Sequence, residues 1–273
     1  MMKQLARLQF SSFQLKVPQN WQAPSGDPGA KHYSDAFKPE EKQTSPVAGA
    51  PLFLPASMNK YHTDTQKMHQ AKVGAFIDGM CDAICSAWSQ WQSTASMAGI
   101  VINAVAAFGG KVVGPPLAPL ILASAPKSSP SELKYSQVIS TVIGNAWLQY
   151  TMAFTVKGMP WYPAFATMAL PIAPPTPNVP CPIVAISAGT SLAGKNLMKP
   201  QMISQLGDPR APFHAELFDA ICDAFEKCLT LWETSTMVTN VIGVGPVPTF
   251  APPYVPLGPV MGGTGTMLPG GFV

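Results

Sequence analysis

Residues Gly189 to Asn196 read GTSLAGKN, the G-x-x-x-x-G-K spacing of a loop whose backbone amides and lysine cradle phosphates. Phosphoryl chemistry at such a loop needs a hydroxyl after the lysine to hold magnesium, a strand leading in and a helix leading out. Here Asn196 follows the lysine, and the run before the loop, Pro182 to Ile186, belongs to a proline-rich stretch. A second Gly-Thr stretch, Gly262 to Thr266, occupies the corresponding place later in the chain, so the spacing reads as repeated architecture rather than as a nucleotide site. His214-Ala215-Glu216 matches the first half of a zinc-deaminase signature and Pro180-Cys181 part of the second, but their order is reversed and the second cysteine is missing. The four histidines, His32, His62, His69 and His214, show no H-E-x-x-H spacing, and no G-x-S-x-G elbow presents a serine. Cys81, Cys85, Cys181, Cys222 and Cys228 form an odd number without a C-x-x-C pair, which argues against a disulfide framework and a zinc ribbon alike. They read as small buried apolar residues. The expectation is a non-enzyme, with no catalytic residue, cofactor, metal or small-molecule substrate.

What such residues sit on is set by a repeat. Sliding the sequence along itself by 137 positions aligns CDAICSAW at Cys81 with FDAICDAF at Phe218, IVINAV at Ile100 with MVTNVI at Met237, and PPLAPL at Pro115 with PPYVPL at Pro252, all without a gap. A third copy lies between them. Ile143, Ala146 and Trp147 repeat Ile84, Ala87 and Trp88, as Ile221, Ala224 and Phe225 do, and 31 residues separate the isoleucine from a proline pair in every copy: Pro115-Pro116, Pro174-Pro175, Pro252-Pro253.

The first half of each copy spaces its apolar residues by three and four, as one helical face requires. Copy one runs Val73, Phe76, Ile77, Met80, Ile84, Trp88, Trp91; copy two opens on the capping box Ser129-Pro130-Ser131-Glu132, and copy three on Asp208-Pro209. The second half of each copy is proline-punctuated and apolar, which predicts an extended arm lying against something else, with Leu120 and Leu257 beside the proline pairs as partner contacts. The repeat core would be the three triplets just named. The expected organisation is an extended N-terminal arm over 1–62, with the apolar island PLFLP at Pro51 to Pro55, then helix-plus-arm repeats over 63–128, 129–203 and 204–273. The expected fold class is mainly α with extended Pro-rich arms and short strands, the three repeats in a pseudo-threefold arrangement.

Composition narrows the function. Only 11% of the 273 residues are charged, against about 25% in an ordinary soluble domain, while 47% are hydrophobic and 30 are proline. A net charge of +3 without a basic cluster excludes nucleic-acid binding by phosphate neutralisation. Residues 1–72 hold 14 of the 31 charges, and none lies between Asp82 and Lys111, between Lys157 and Lys195, or after Glu233. So little charge is expected where other protein subunits cover the surface. The sequence therefore predicts a structural or adaptor subunit of a larger symmetric assembly, such as a phage virion or a phage-tail-like contractile injection particle, in which a triplicated chain serves as a baseplate, spike or cap component and meets a threefold or sixfold partner. The alternative is a membrane-active protein, a pore former or translocated effector, inserting its charge-free Pro/Gly-rich segments at a bilayer; their uninterrupted apolar runs fall short of the roughly 20 residues a spanning helix needs. Met1 to Phe10 lacks the apolar run of a secretory signal, so synthesis in the cytoplasm and incorporation in a virion or secreted particle is expected.

Overall fold

Three long helices carry the apolar faces that the spacing traces: the one at Pro130 starts at its cap, the one at His214 a few residues after the proposed start, and the one at Thr63 ten residues before Val73. The computed structural model describes residues 1–16, 53–54, 63–187, 189–208, 213–250 and 255–273. Its helices are α1 (Met2–Ser12), α2 (Thr63–Thr94), α3 (Leu117–Ser124), α4 (Pro130–Ala153), α5 (Lys195–Leu206) and α6 (His214–Ser235). Ser129 caps α4, its hydroxyl accepting the Glu132 backbone N–H at 3.2 Å, and Pro130 takes the first helical position, where no N–H is needed. α6 starts at His214, with Phe213 in the left-handed region before it, rather than at Asp208-Pro209; Pro209 lies outside the described residues.

Each long helix is followed by two strands. They are β1 (Ser96–Asn103) and β2 (Ala106–Val113) after α2, β3 (Val156–Pro160) and β4 (Ile172–Pro177) after α4, and β5 (Val241–Pro246) and β6 (Gly263–Met267) after α6. All six form one antiparallel sheet in the order β3-β2-β1-β6-β5-β4. The fold is therefore mixed α/β. The mainly α class with short strands and extended arms is overturned, and the reason lies in the arms. Ser96–Val113 is free of proline and pairs with itself through the two-residue turn Ala104-Val105. Leu117–Ser124, expected to be extended, is helical because Pro119 falls in its first turn, where the missing N–H costs no intrahelical bond. Pro174 and Pro175 are extended, but they lie in β4 at the edge of the order and at a register shift, where a ladder tolerates residues without an N–H.

The sheet curls until its outer parts meet. Trp161 and Asn178 form an antiparallel bridge, and the Val179 N–H donates to the Pro160 carbonyl at 3.1 Å. Ile100, Ile102, Met159, Trp161, Val241 and Met267 fill the inside. Gly243 is small for a reason: a Cβ there would collide with Trp161 and Ile102. Gly243→Ala is expected to destabilise by about 1 to 2 kcal/mol through overpacking, read as a lowered urea midpoint with an unchanged m-value.

The helices make a second layer. α1 packs between α6 and α2, α3 between α2 and α4, and α5 between α4 and α6, so short and long helices alternate. Their shared centre is aromatic. Trp88 of α2, Trp147 of α4 and Trp232 of α6 converge, with ring centroids 4.3 Å (Trp88 to Trp147) and 5.2 Å (Trp88 to Trp232) apart. Of the expected N-terminal arm, Met2–Ser12 is helix instead. Met2, Ala6 and Phe10 are buried, and Arg7 makes a bidentate ion pair with Asp78 at 2.6 and 2.7 Å. Most of the remaining arm, including Pro51, Leu52 and Pro55 of the apolar island, lies outside the described residues.

Candidate functional site

The residues singled out for chemistry are engaged elsewhere. Lys195, of the phosphate-loop spacing, opens α5 with its ammonium 2.8 Å from Asp219 and 3.8 Å from Asp223, while its backbone N–H donates to Glu226 at 3.0 Å. Three carboxylates thus stand where a phosphate's negative charge would have to come. Lys199 and Gln9 also donate to Asp219, at 2.7 and 3.1 Å, so this cluster ties α1, α5 and α6 together. Burial pushes the Asp219 carboxyl up, but hydrogen bonds from Lys195, Lys199 and Gln9 outweigh it and hold the group below the usual carboxylate range.

His214 and Cys181 do not meet. Cys181 pairs with Val238, just past the C-terminal end of α6, whereas His214 opens that 22-residue helix, about 33 Å away along its axis. Among the described residues no three or more His, Cys, Asp or Glu side chains gather as a metal site. Cys81 and Cys222 are buried, and burial pushes each thiol up to about 12. Cys85 departs from the buried reading: it is exposed, and Cys228 is half-buried.

All nine residues of the three triplets lie in the helical layer. Ile84, Ala87, Ile143, Ala146, Trp147, Ile221, Ala224 and Phe225 are buried and Trp88 is half-buried. Of the expected partner contacts, Pro116, Pro174, Pro175 and Leu257 are exposed, Pro115 and Leu120 are half-buried, and Pro252 and Pro253 lie outside the described residues.

Sequence reasoning missed two features. One is a buried polar cluster between α4 and α6, where Glu233 accepts hydrogen bonds from Tyr150 at 2.8 Å and Ser187 at 3.0 Å. Ser187 arrives on the segment Ile183–Ala193, whose Ile183, Ile186 and Ala193 are buried. Two cavities open elsewhere in this layer: one of about 350 Å³ between α2 and α6, and one of about 640 Å³ between α4 and the stretch that joins β2 to α3, beside Pro115 and Pro116, with Trp91 of α2 at its wall.

The other missed feature is the cap at the end of the sheet away from the helices. The connections Ala104-Val105 and 161–171 and the described parts of the last connection, 247–250 and 255–262, knit together there. Ala104 N–H donates to the Val260 carbonyl (2.8 Å), Val260 N–H to the Phe165 carbonyl (2.8 Å), and Gly262 N–H to Asn103 Oδ1 (2.8 Å), while Met168 and Gly258 bond reciprocally. No residue of these connections is charged, and the six strands carry two charges, Lys111 and Lys157, both near the helices. Around this end Val105, Tyr162, Leu170, Ile172, Leu257 and Met261 are exposed. Much of the long charge-free runs of the sequence falls in this sheet and its cap; the rest includes the end of α2 and the segment packed against α4 and α6.

No protein-family model matches the chain, and no curated protein or solved structure is significantly similar to it. Among the described residues no helix is long and apolar enough to cross a membrane.

Proposed function

We propose that the protein is a non-enzymatic structural or adaptor subunit of a larger symmetric protein assembly, of the kind found in a phage virion or a phage-tail-like injection particle, and that it docks through the uncharged cap and adjoining sheet. The observation that carries this reading is the polarity of the molecule: the helices carry the ion pairs, and the opposite end exposes apolar side chains without a charge among them. Exposed apolar side chains gathered at one uncharged end are what a binding surface presents. Three helix-strand-strand segments feeding one sheet suit a partner whose subunits are arranged about a threefold or sixfold axis, and a virion or secreted particle is the setting that goes with this reading.

In a density gradient of native lysate, the 28.9 kDa chain is expected to sediment with a particle many times its mass. Ile172→Lys with Leu257→Glu, both at exposed positions, is expected to return it to the monomer fraction with its circular dichroism unchanged. A wild-type chain that runs as a free monomer would sink the proposal, and recovery in carbonate-resistant membranes would replace it with the membrane-active reading.

A further inference from the structure

Four sulfur-bearing residues line the open cavity between α2 and α6. Cys85 stands on the α2 side, Cys228 on the α6 side, and Met1 and Met2 lie at the start of α1. The Cys85 thiol is 3.9 Å from the Met2 thioether, and Cys228 lines the same cavity from the facing helix. We propose that Cys85, Cys228 and Met2 form a binding site for a soft monovalent cation, copper(I) or silver(I). Two thiols are too few for the tetrahedral sites zinc prefers, whereas mixed thiolate and thioether donors select soft ions. The Cys85–Met2 spacing suits a three-coordinate ion: two sulfurs that share a metal at about 2.3 Å with a trigonal angle lie about 4 Å apart. Ile84, Trp88, Phe225 and Trp232 give the cavity a largely apolar wall, joined by Ser89, Gln92 and Ser235, and no charged side chain lines it, which favours a low-charge ion.

Both thiols are raised, chiefly by partial desolvation, with Asp82 raising Cys85, Lys3 lowering it and the Met1 amine lowering both, so they are protonated before the ion arrives. One copper(I) then displaces two protons to solvent and forms two sulfur-metal bonds, with the Met2 sulfur donating a lone pair; no electron is transferred. Binding therefore weakens as the pH falls. Trp88 and Trp232 on the cavity wall report occupancy by loss of their fluorescence.

The test is anaerobic titration of the reduced full-length chain with copper(I) against a chromophoric copper(I) chelator. One equivalent should bind, with tryptophan quenching, and copper(I) should protect Cys85 and Cys228 from maleimide in peptide mapping of the unmodified chain. Cys85→Ser and Cys228→Ser should each weaken binding by more than about 100-fold, beyond what losing an outer-shell partner costs, and Met2→Leu by about tenfold, while Cys181→Ser leaves it unchanged. Absence of competitive binding, a Cys85→Ser/Cys228→Ser chain that binds as tightly as wild type, or a Met2→Leu chain with unaltered affinity overturns the assignment.

Discussion

Replacing Trp147 by alanine is expected to lower the unfolding free energy by roughly 3 to 5 kcal/mol. The side chain is 2% exposed and is in contact with all three long helices. Its ring lies 4.3 Å from Trp88 and 4.6 Å from Trp91 on α2, stacks on Tyr150 at 4.9 Å within α4, and meets Trp232 of α6 at 5.9 Å. Rings on neighbouring helices cannot collapse into the void together, because each is held by its own backbone, so the cavity term adds to the lost transfer energy. Trp147→Phe separates the two contributions. It keeps an aromatic ring and removes an indole N–H that makes no hydrogen bond, so it should cost only about 1 to 2 kcal/mol. Urea unfolding followed by far-ultraviolet circular dichroism measures both. A Trp147→Ala loss below 1 kcal/mol would show that the aromatic centre is not what joins the helices.

Asp219→Asn is expected to cost roughly 2 to 3 kcal/mol near neutral pH. That is less than the 3 to 5 typical of breaking a fully buried pair, because Lys195 and Lys199 are 26% and 33% exposed and can return to water. The carboxylate itself is 7% exposed and joins three helices, so neutralising it leaves two ammonium groups side by side. The pH dependence has a definite sign. Since the folded state holds Asp219 below its ordinary value, its contribution is present above the unfolded carboxylate range and is lost as the pH falls through the folded value. The gap between wild type and Asp219→Asn should stay constant around pH 7 and close below about pH 4. A gap that widens in acid would contradict the ion-pair assignment.

The helices were legible because their signals are local. Ser129, Pro130 and Glu132 mark a start within four residues, and Ile139, Val142, Ile143, Ala146 and Trp147 trace one face. The sheet was not legible because its signals are tertiary. β1 and β2 join through Ala104-Val105, with Ala104 at φ 53° and no glycine to announce a turn; the bond from Ala104 N–H to Val260, more than 150 residues away, helps hold it. In β6, Gly263, Gly265 and Met267 point inward, and β5 places Gly243 and Gly245 where Trp161, Ile102 and Val260 leave no room for a side chain. Strands whose inward residues are glycines lose the alternation that identifies a strand, and read as loop. The same holds for the candidate site. The charge-free runs are plain in the sequence, but that three of their connections form one surface depends on pairings such as Met168 with Gly258.

The meeting of the sheet's outer strands also limits how a partner could bind. A partner that joins by adding a strand needs a free row of N–H and C=O groups. β3 is met by the Asn178-Val179 stretch, and three of the six residues of β4 are prolines with no N–H to give. Backbone templating by a foreign strand, and with it runaway edge-to-edge polymerisation, is thereby disfavoured. Recognition at this end falls to side-chain shape, so affinity there should respond to single methyl groups and to added charge far more than to changes that leave the surface contour alone.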